Sequence, residues 1–386
     1  MPRLLWLGLW AVCICGATAQ EPLSLTSRAE TGWTSNATET PDGPADFFVE
    51  HSHELSLSGA MGPLNLRGTL MFEQTRFATV SVEDDMAATG GIEAALSLAP
   101  GMTLRAGYAA TYDWTGEGLL LGTDLVGLNS TALTQEALVE LIVAGQDQQV
   151  TTRVDASWLY PGETSISGLP AAVPPMRLEP QVTTVSVTTD WEKAVSSNVA
   201  ALVHVGSGFA TIPDLDQYEF GRLSAISATA GGGARLKFDR IAIEALGGAS
   251  LVWPVADPGL RRSLPYAVVK AEWGMSDQLS LAARVENSVE LDSPLDPVAD
   301  ALLEAELSAR YAVSEAAALS LAVARSEQRG LFDLTQVQRQ YSTSAGFEYG
   351  VSERAGLSLA AQHKWVEEPG ANYQASTIRL AVTMVL

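Results

Sequence analysis

Few side chains in this sequence have the types and spacing that catalysis or metal binding requires. His51 and His53 are two residues apart and share one face if the segment is a strand, but no third ligand lies near them. There is no Gly-x-Ser-x-Gly nucleophile motif, and both cysteines, Cys13 and Cys15, lie within the first twenty residues. We therefore expect no enzymatic activity, no metal and no cofactor.

The charged residues alternate with apolar residues along many segments. Successive side chains of a strand point to opposite faces, so the residues between the apolar ones share a face of their own. If the apolar face meets lipid, that second face lines a lumen. The predicted pore-lining residues are basic (Arg28, Arg67, Arg105, Arg153, Arg235, Arg284, Arg310, Arg379) and acidic (Glu73, Asp155, Glu286, Glu290, Glu304, Glu306).

Two arrangements of these charges are compatible with the sequence. Arginines facing acids across a narrow lumen would create a transverse field that orders polar solutes. Alternatively, the charges are solvated or paired with neighbours and stiffen the wall. Because acids outnumber bases in the chain, we expect a weak preference for cations.

The elements that position these residues are long β-hairpins. An aromatic residue, two further residues, a serine and an acid recur at a spacing of 38 residues, in 273–277, 311–315 and 349–353. Each copy lies between segments that alternate apolar and polar residues. Spans near twelve residues exceed the strands of a soluble sandwich and match a tilted strand that crosses a bilayer.

The pattern predicts an all-β fold, an antiparallel transmembrane β-barrel of 16 to 18 strands, with 18 favoured. The least regular segments are the first strand and 133–144, and the latter could be a helix in a loop. Without these two, the strand count is sixteen. The predicted strands lie near 22–33, 47–61, 64–76, 89–99, 102–114, 133–144, 149–160, 180–191, 198–210, 222–238, 240–253, 264–274, 279–291, 301–313, 318–329, 340–351, 356–366 and 376–386. Short turns alternate with longer connections at 34–46, 77–88, 115–132, 161–179, 211–221, 254–263, 292–300, 330–339 and 367–375. This alternation is typical of periplasmic turns and extracellular loops.

Aromatic residues fall at the ends of the predicted strands. An aromatic ring with a polar edge prefers the boundary between hydrocarbon and headgroups, so two girdles are expected. The outer girdle comprises Trp33, Trp114, Trp158, Trp253 and Trp365, and the inner girdle comprises Trp191, Trp273, Tyr311 and Tyr349.

The N-terminal segment has the features of a cleaved export signal. Arg3 precedes an apolar stretch from Leu4 to Cys15, and Ala17-Thr18-Ala19 forms a small-residue cleavage pattern. We expect residues 1–19 to be the signal peptide and residues 20–386 to form one barrel. No later apolar run reaches the length of a transmembrane helix.

The signal, the strand alternation, the girdles and the terminal strand together resemble the general porins and porin-like channels of the Gram-negative outer membrane. This resemblance implies a water-filled diffusion channel for small hydrophilic solutes and ions. It also implies contacts with the lipid bilayer and lipopolysaccharide, a homotrimer, and insertion by machinery that reads the last strand. Porins usually end in phenylalanine, whereas this chain ends in Leu386.

General porins also fold a loop with a Pro-Glu-Phe-Gly-like motif into the lumen. The segment Tyr218-Glu219-Phe220-Gly221 is similar, but the strand count places it two extracellular loops too late. Loops 115–132 and 161–179 are the other candidates for a constriction.

Charge and strand pattern leave a small set of functions. The formal net charge of −22 argues against a nucleic-acid partner, because phosphate contacts need a basic face. A channel with a charged constriction is the favoured function. The alternatives are a non-conducting barrel with a structural or adhesive role, and, with less support, a barrel enzyme.

Overall fold

The computed structural model describes residues 23–121, 124–169, 173–291 and 295–386. The predicted signal peptide, residues 1–19, lies outside these ranges. Among the described residues, no helix is both long enough and apolar enough to cross a membrane.

The described residues are mostly long strands, in which the period-two patterns of the sequence fold as expected. The strands are β1 (Leu23–Thr34), β2 (Asp46–Met61), β3 (Leu64–Phe77), β4 (Asp85–Ala99), β5 (Met102–Leu121), β6 (Asp124–Ala144), β7 (Gln148–Pro161), β8 (Ser165–Ser167), β9 (Val182–Ala194), β10 (Val199–Thr211), β11 (Ala225–Phe238), β12 (Ile241–Pro254), β13 (Arg262–Gly274), β14 (Leu279–Glu290), β15 (Asp300–Ala312), β16 (Ala317–Gly330), β17 (Val337–Ser352), β18 (Ala355–Glu368) and β19 (Ala371–Val385). A 3₁₀ helix, η1 (Ser81–Glu83), precedes β4, and a short helix, α1 (Asp214–Phe220), follows β10.

The long strands form one closed antiparallel barrel. Each pairs with its neighbour in sequence, β7 pairs directly with β9, and β19 pairs with β1 to close the wall. The three-residue strand β8 pairs with β6 and does not belong to the wall. The barrel built from the described residues therefore has eighteen strands, which confirms the favoured count and identifies the ambiguous segment 133–144 as part of β6.

The pairing register divides the wall into two faces, because residues directly opposite each other in antiparallel strands point the same way. One face carries large exposed apolar side chains such as Leu307, Leu321 and Val323, which are 57%, 60% and 57% exposed. The other face carries most of the arginines and carboxylates of the strands. The first face is outward and the second is inward.

Connections of different length lie at the two ends of the barrel. Turns of two to four residues follow β2, β4, β6, β9, β11, β13, β15 and β17. Most connections at the other end are longer, and by the usual orientation of such barrels this end is extracellular.

Two predicted extracellular loops are largely strand. Residues 115–121 and 124–132 extend the β5–β6 hairpin, and residues 367–375 mostly extend the β18–β19 hairpin. The first extension is held by η1 and by the start of β4. Glu83 Oε1 of η1 accepts from Gly118 N at 2.5 Å, and Asp85 Oδ1 of β4 accepts from Gly116 N at 2.9 Å. In the second extension, Tyr373 donates to Glu39 of the 35–45 loop at 3.3 Å. Contacts from another loop therefore let these hairpins continue beyond the level of the aromatic residues.

Candidate pore lining

All of the predicted pore-lining residues lie on the inward face. Arg284 on β14, for example, pairs with Lys270 on β13 and with Glu306 on β15, so the three side chains point the same way. Following the register from strand to strand around the barrel places the remaining predicted arginines and acids on this face.

Each predicted arginine has a carboxylate within salt-bridge distance along the wall. The partners lie on the same strand or within two strands and not across the lumen. The pairs are Arg28–Glu30 at 2.5 Å, Arg67–Glu54 at 3.4 Å, Arg105–Glu140 at 3.2 Å, Arg153–Asp155 at 2.6 Å, Arg235–Glu192 at 2.6 Å, Arg235–Glu244 at 2.7 Å, Arg284–Glu286 at 2.5 Å, Arg310–Glu348 at 2.8 Å and Arg379–Glu30 at 3.4 Å. The arginines therefore take the second arrangement considered from the sequence, in which neighbouring charges pair along the wall.

Most of these arginines remain open to solvent. The side chains of Arg67, Arg105 and Arg310 are 54%, 57% and 55% exposed, although each has a partner. Exposed pairs of this kind contribute about 0–1 kcal/mol each. Their main consequence is that charged groups line a solvent-accessible interior surface.

Carboxylates are in excess on the inward face, by about two to one over basic groups on the described strands. Glu286 lies directly opposite Glu304, and Glu30 lies directly opposite Glu50. Several further charged residues face the lumen because they alternate with apolar neighbours as the predicted ones do, but the prediction from sequence did not include them. They are Glu50, Glu54, Glu93, Glu136, Glu140, Glu192, Glu244, Lys270 and Lys364.

Three extracellular connections fold into the outer end of the lumen. Inward residues of β10 to β13 form a buried apolar cluster with residues of the connections after β14 and β16. Its members are Ala210, Ala225, Val252, Leu264, Leu291, Val298, Ala299 and Leu331. A Cβ placed on the inward side of Gly208 in β10 would lie 3.1 Å from Leu291 Cδ1, although three strands separate β10 from β14 in the wall. Such a contact runs through the barrel interior.

A single carboxylate connects two of these segments. Asp296, which is 1% exposed, accepts hydrogen bonds from Val298 and Ala299 in its own connection, at 2.7 and 3.1 Å. It also accepts from Phe332 and Asp333 in the connection after β16, at 2.6 and 2.7 Å. The third segment joins them where Leu223 N donates to Pro297 O at 2.7 Å. We call residues 212–224, 291, 295–299 and 331–336 the inward loops.

The segment that resembles the porin constriction motif belongs to one of these inward loops. Tyr218, Glu219 and Phe220 complete α1, and Gly221 ends the helix with a φ of 67°. Tyr218 itself is 91% exposed, and Phe220 lies under the Arg177 guanidinium at 5.2 Å from the ring centroid. The candidate loop 161–179 meets α1 through Arg177, which contacts Asp216 at 2.6 Å.

The predicted girdle residues all lie on the outward face. Near the extracellular ends of their strands lie Trp33, Trp158, Trp253 and Trp365, and near the ends with short turns lie Trp191, Trp273, Tyr311 and Tyr349. Trp114 lies within the longer strand β5, opposite Met86 at the extracellular end of β4.

The histidines do not assemble a metal site. His51 and His53 are both outward, and His53 Nδ1 lies 3.1 Å from Ser27 Oγ. Among the residues that the structure describes, no group of three or more histidine, cysteine or acidic side chains is arranged to hold a metal ion. His204 is inward, where its Nδ1 lies 2.7 Å from Asp190 Oδ1 and its ring stacks on Tyr266 at 5.0 Å.

Comparison with known proteins identifies the architecture. No protein-family model matches the chain, and no curated protein matches it. Among solved structures, it is similar to the copper transporter OprC, with a TM-score of 0.57 and 9% identity over 94% of this chain and 80% of that one. It is also similar to a chain of the FpvAI–pyocin S2 complex, with a TM-score of 0.52 and 11% identity over 90% of this chain and 55% of that one. A third likeness, to CdiB from Acinetobacter baumannii, has a TM-score of 0.50 and 8% identity over 96% of this chain and 61% of that one. At these identities the likeness concerns the fold, and the chain has the fold of an outer-membrane β-barrel.

Proposed function

We propose that this protein is an outer-membrane channel for the passive diffusion of small hydrophilic solutes and ions. The observation that carries the proposal is the inward wall, on which most of the arginine side chains remain about half exposed inside a closed barrel. A lumen filled by packing would bury these groups, and buried charges are costly unless they are fully compensated.

The inward loops set the constriction in this proposal. They occupy the extracellular end of the lumen against β10 to β13, so the free cross-section there is smaller than in the periplasmic half. Solutes would pass beside an apolar cluster bordered by the inward carboxylate of Glu290.

A preference for cations follows from the balance of charge. The arginines are offset by their partners along the wall, whereas acids such as Glu304 and Glu306 add to a local excess next to Glu286. An acidic lumen with low-dielectric walls concentrates cations and repels anions. Because exposed charges are screened over about 10 Å at 0.1 M salt, the preference is weak and decreases with ionic strength.

Planar-bilayer recording tests this function. Purified protein is expected to give stepwise, persistent conductance, and a salt gradient is expected to give a reversal potential of the cation-selective sign. The variant E286Q/E304Q/E306Q should lose part of that selectivity. The control D277N removes an acid that is 93% exposed in a periplasmic turn and should keep it.

The inward loops also favour a second candidate function, a non-conducting barrel with a structural or adhesive role. In that case the folded protein inserts into the bilayer but gives no current. Anion selectivity in a conducting protein would contradict the charge argument while leaving the channel itself in place.

A further inference from the structure

A cluster of charged residues lies on the outward face, where apolar residues are expected. It comprises Arg325, Glu327 and Arg329 on β16, Arg339 on β17 and Glu367 on β18, and we call it the rim cluster. Arg325 lies opposite Ala305 and Tyr341, and Glu327 lies opposite Leu303 and Arg339, which fixes their outward direction. The inward pore lining makes no use of these residues.

The depth of the rim cluster is given by the aromatic residues beside it. Arg325 pairs with Tyr341, which pairs with Trp365 of the outer girdle. The next outward side chains toward the extracellular end, two residues along each strand, are Glu327, Arg339 and Glu367. Arg329 is the outward side chain after Glu327 on β16. The cluster therefore begins at the level of the girdle and extends through the layer that lipid headgroups occupy.

The contacts within the cluster organise three guanidinium groups around one carboxylate. Glu327 is 10% exposed and accepts from Arg325 at 2.6 Å, Arg329 at 2.7 Å and Arg339 at 3.1 Å. Arg339 is also 3.6 Å from the exposed Glu367. The arginine side chains are 38% to 49% exposed, so most of their N–H donors are directed away from Glu327.

These contacts leave positive charge at a lipid-facing surface. Three guanidinium groups face two carboxylates, and the Arg325 guanidinium lies 5.6 Å from the Tyr341 ring centroid, which holds it at the wall. Below the cluster, the exposed Leu321 and Val323 continue the same face toward the bilayer. Apolar surface below and arginine donors above match an amphipathic lipid whose headgroup carries phosphate.

We propose that the rim cluster binds the phosphate groups of lipopolysaccharide in the outer leaflet. The cluster lies at the end with long connections, which is the leaflet where this lipid resides. Arginine binds phosphate through paired N–H donors, and the rim cluster places three such groups close enough together to serve one ligand. This site does not depend on the channel function.

Lipid binding by purified barrels tests the proposal. Unfolding temperature and bound lipid are measured with lipopolysaccharide, with lipopolysaccharide from which the phosphates have been removed, and with phosphatidylglycerol. Native lipopolysaccharide is expected to raise the unfolding temperature of the wild-type protein in a concentration-dependent way, because a ligand of the folded state stabilises it. The variant R329Q/R339Q should lose most of this rise and bind roughly tenfold more weakly for each arginine removed.

Two further variants separate binding from a structural role. The control R76Q removes an outward arginine at the extracellular end of β3 and should respond to lipopolysaccharide as the wild type does. The variant E327Q should retain the response, because it leaves all three arginines in place. A purely structural ion network predicts instead that E327Q and R329Q/R339Q lower stability without lipid and keep the lipopolysaccharide-dependent rise.

The remaining outcomes also decide the proposal. An unchanged response in R329Q/R339Q would overturn it. Equal binding of the dephosphorylated lipid would exclude phosphate as the ligand, and equal binding of phosphatidylglycerol would replace lipopolysaccharide by anionic lipids in general.

Discussion

Replacing Asp296 by asparagine should release the inward loops from the wall. Two oxygens of this buried carboxylate accept four backbone hydrogen bonds, two from Val298 and Ala299 and two from Phe332 and Asp333. An asparagine side chain has the same shape but only one acceptor oxygen. At least two of the four bonds are lost, and the new amide group then faces donors.

The size of the effect follows from the charge of the acceptor. Hydrogen bonds to charged groups contribute about 1.5–3 kcal/mol each, so losing two costs the docked state about 3 kcal/mol or more. That value corresponds to a change on the order of a hundredfold in the ratio of docked to released loops. The barrel wall contributes none of these bonds and should stay intact.

Conductance and proteolysis measure the release independently. If the protein conducts, D296N should show a larger and noisier open-channel current, because the inward loops leave the lumen. Arg222, which is 6% exposed and lies against Leu291, should become a site of trypsin cleavage. The control D257N removes an exposed acid whose hydrogen bond, to Gly259 at 3.1 Å, stays within its own loop. Wild-type current together with a trypsin-resistant Arg222 in D296N would refute the reasoning.

Three further predictions concern other parts of the barrel. Burial raises the pKa of Glu83 to about 7 from an ordinary value near 4.5. Docking of η1 on β5 should therefore be strongest below pH 4.5 and weaken as the pH rises toward 7. The protection of the Gly118 amide from hydrogen exchange measures the docking. A methyl group at Gly248 would lie 2.0 Å from a carbonyl oxygen of β11, so G248A should lower the barrel's unfolding temperature, with a cost of about 1–3 kcal/mol or more. Replacing Arg235, which pairs with two inward carboxylates, by glutamine should shift the reversal potential toward stronger cation preference.

Each of these predictions has a matched control. E83Q carries no charge and should make the protection of the Gly118 amide, measured as its exchange rate relative to that of an unstructured amide at the same pH, independent of pH; protection that still changes with pH would contradict the assignment. G247A adds a methyl group with no atom within 4 Å and should leave the unfolding temperature nearly unchanged. For Arg235, the solvent-exposed turn residue Arg240 offers the comparison R240Q, and an equal shift in both variants would rule out a luminal effect.

The strands of the wall could be predicted from local patterns, because the alternation of apolar and polar residues depends only on the geometry of the strand that contains them. Residues such as Leu279, Leu281 and Ala283 alternate with polar neighbours, and that period holds without knowledge of the rest of the chain. The same parity assigned every predicted arginine to the inward face. The segment 133–144 was ambiguous because Gln135 and Glu136 are also good helix formers.

The inward loops could not be predicted in the same way. Asp296 looks like any loop acid in the sequence, and its role depends on Phe332 and Asp333, which are 36 and 37 residues away. The ion pairs were also hidden, because Arg310 meets Glu348 only when β15, β16 and β17 lie side by side. Period-two patterns carry no information about which polar neighbours face each other across strands.

The pairing of β1 with β19 has a consequence for assembly. Every other pair in the wall joins strands that are neighbours in sequence or separated only by β8, so those hairpins form from local contacts. The seam from Thr26–Val385 to Thr34–Thr377 instead encloses about 350 residues, with a closure entropy of about 5 kcal/mol by the usual logarithmic dependence on length. The seam should therefore form last and in a single cooperative step. Until then, the nascent sheet has two unpaired edges, each of which can recruit a strand from another chain.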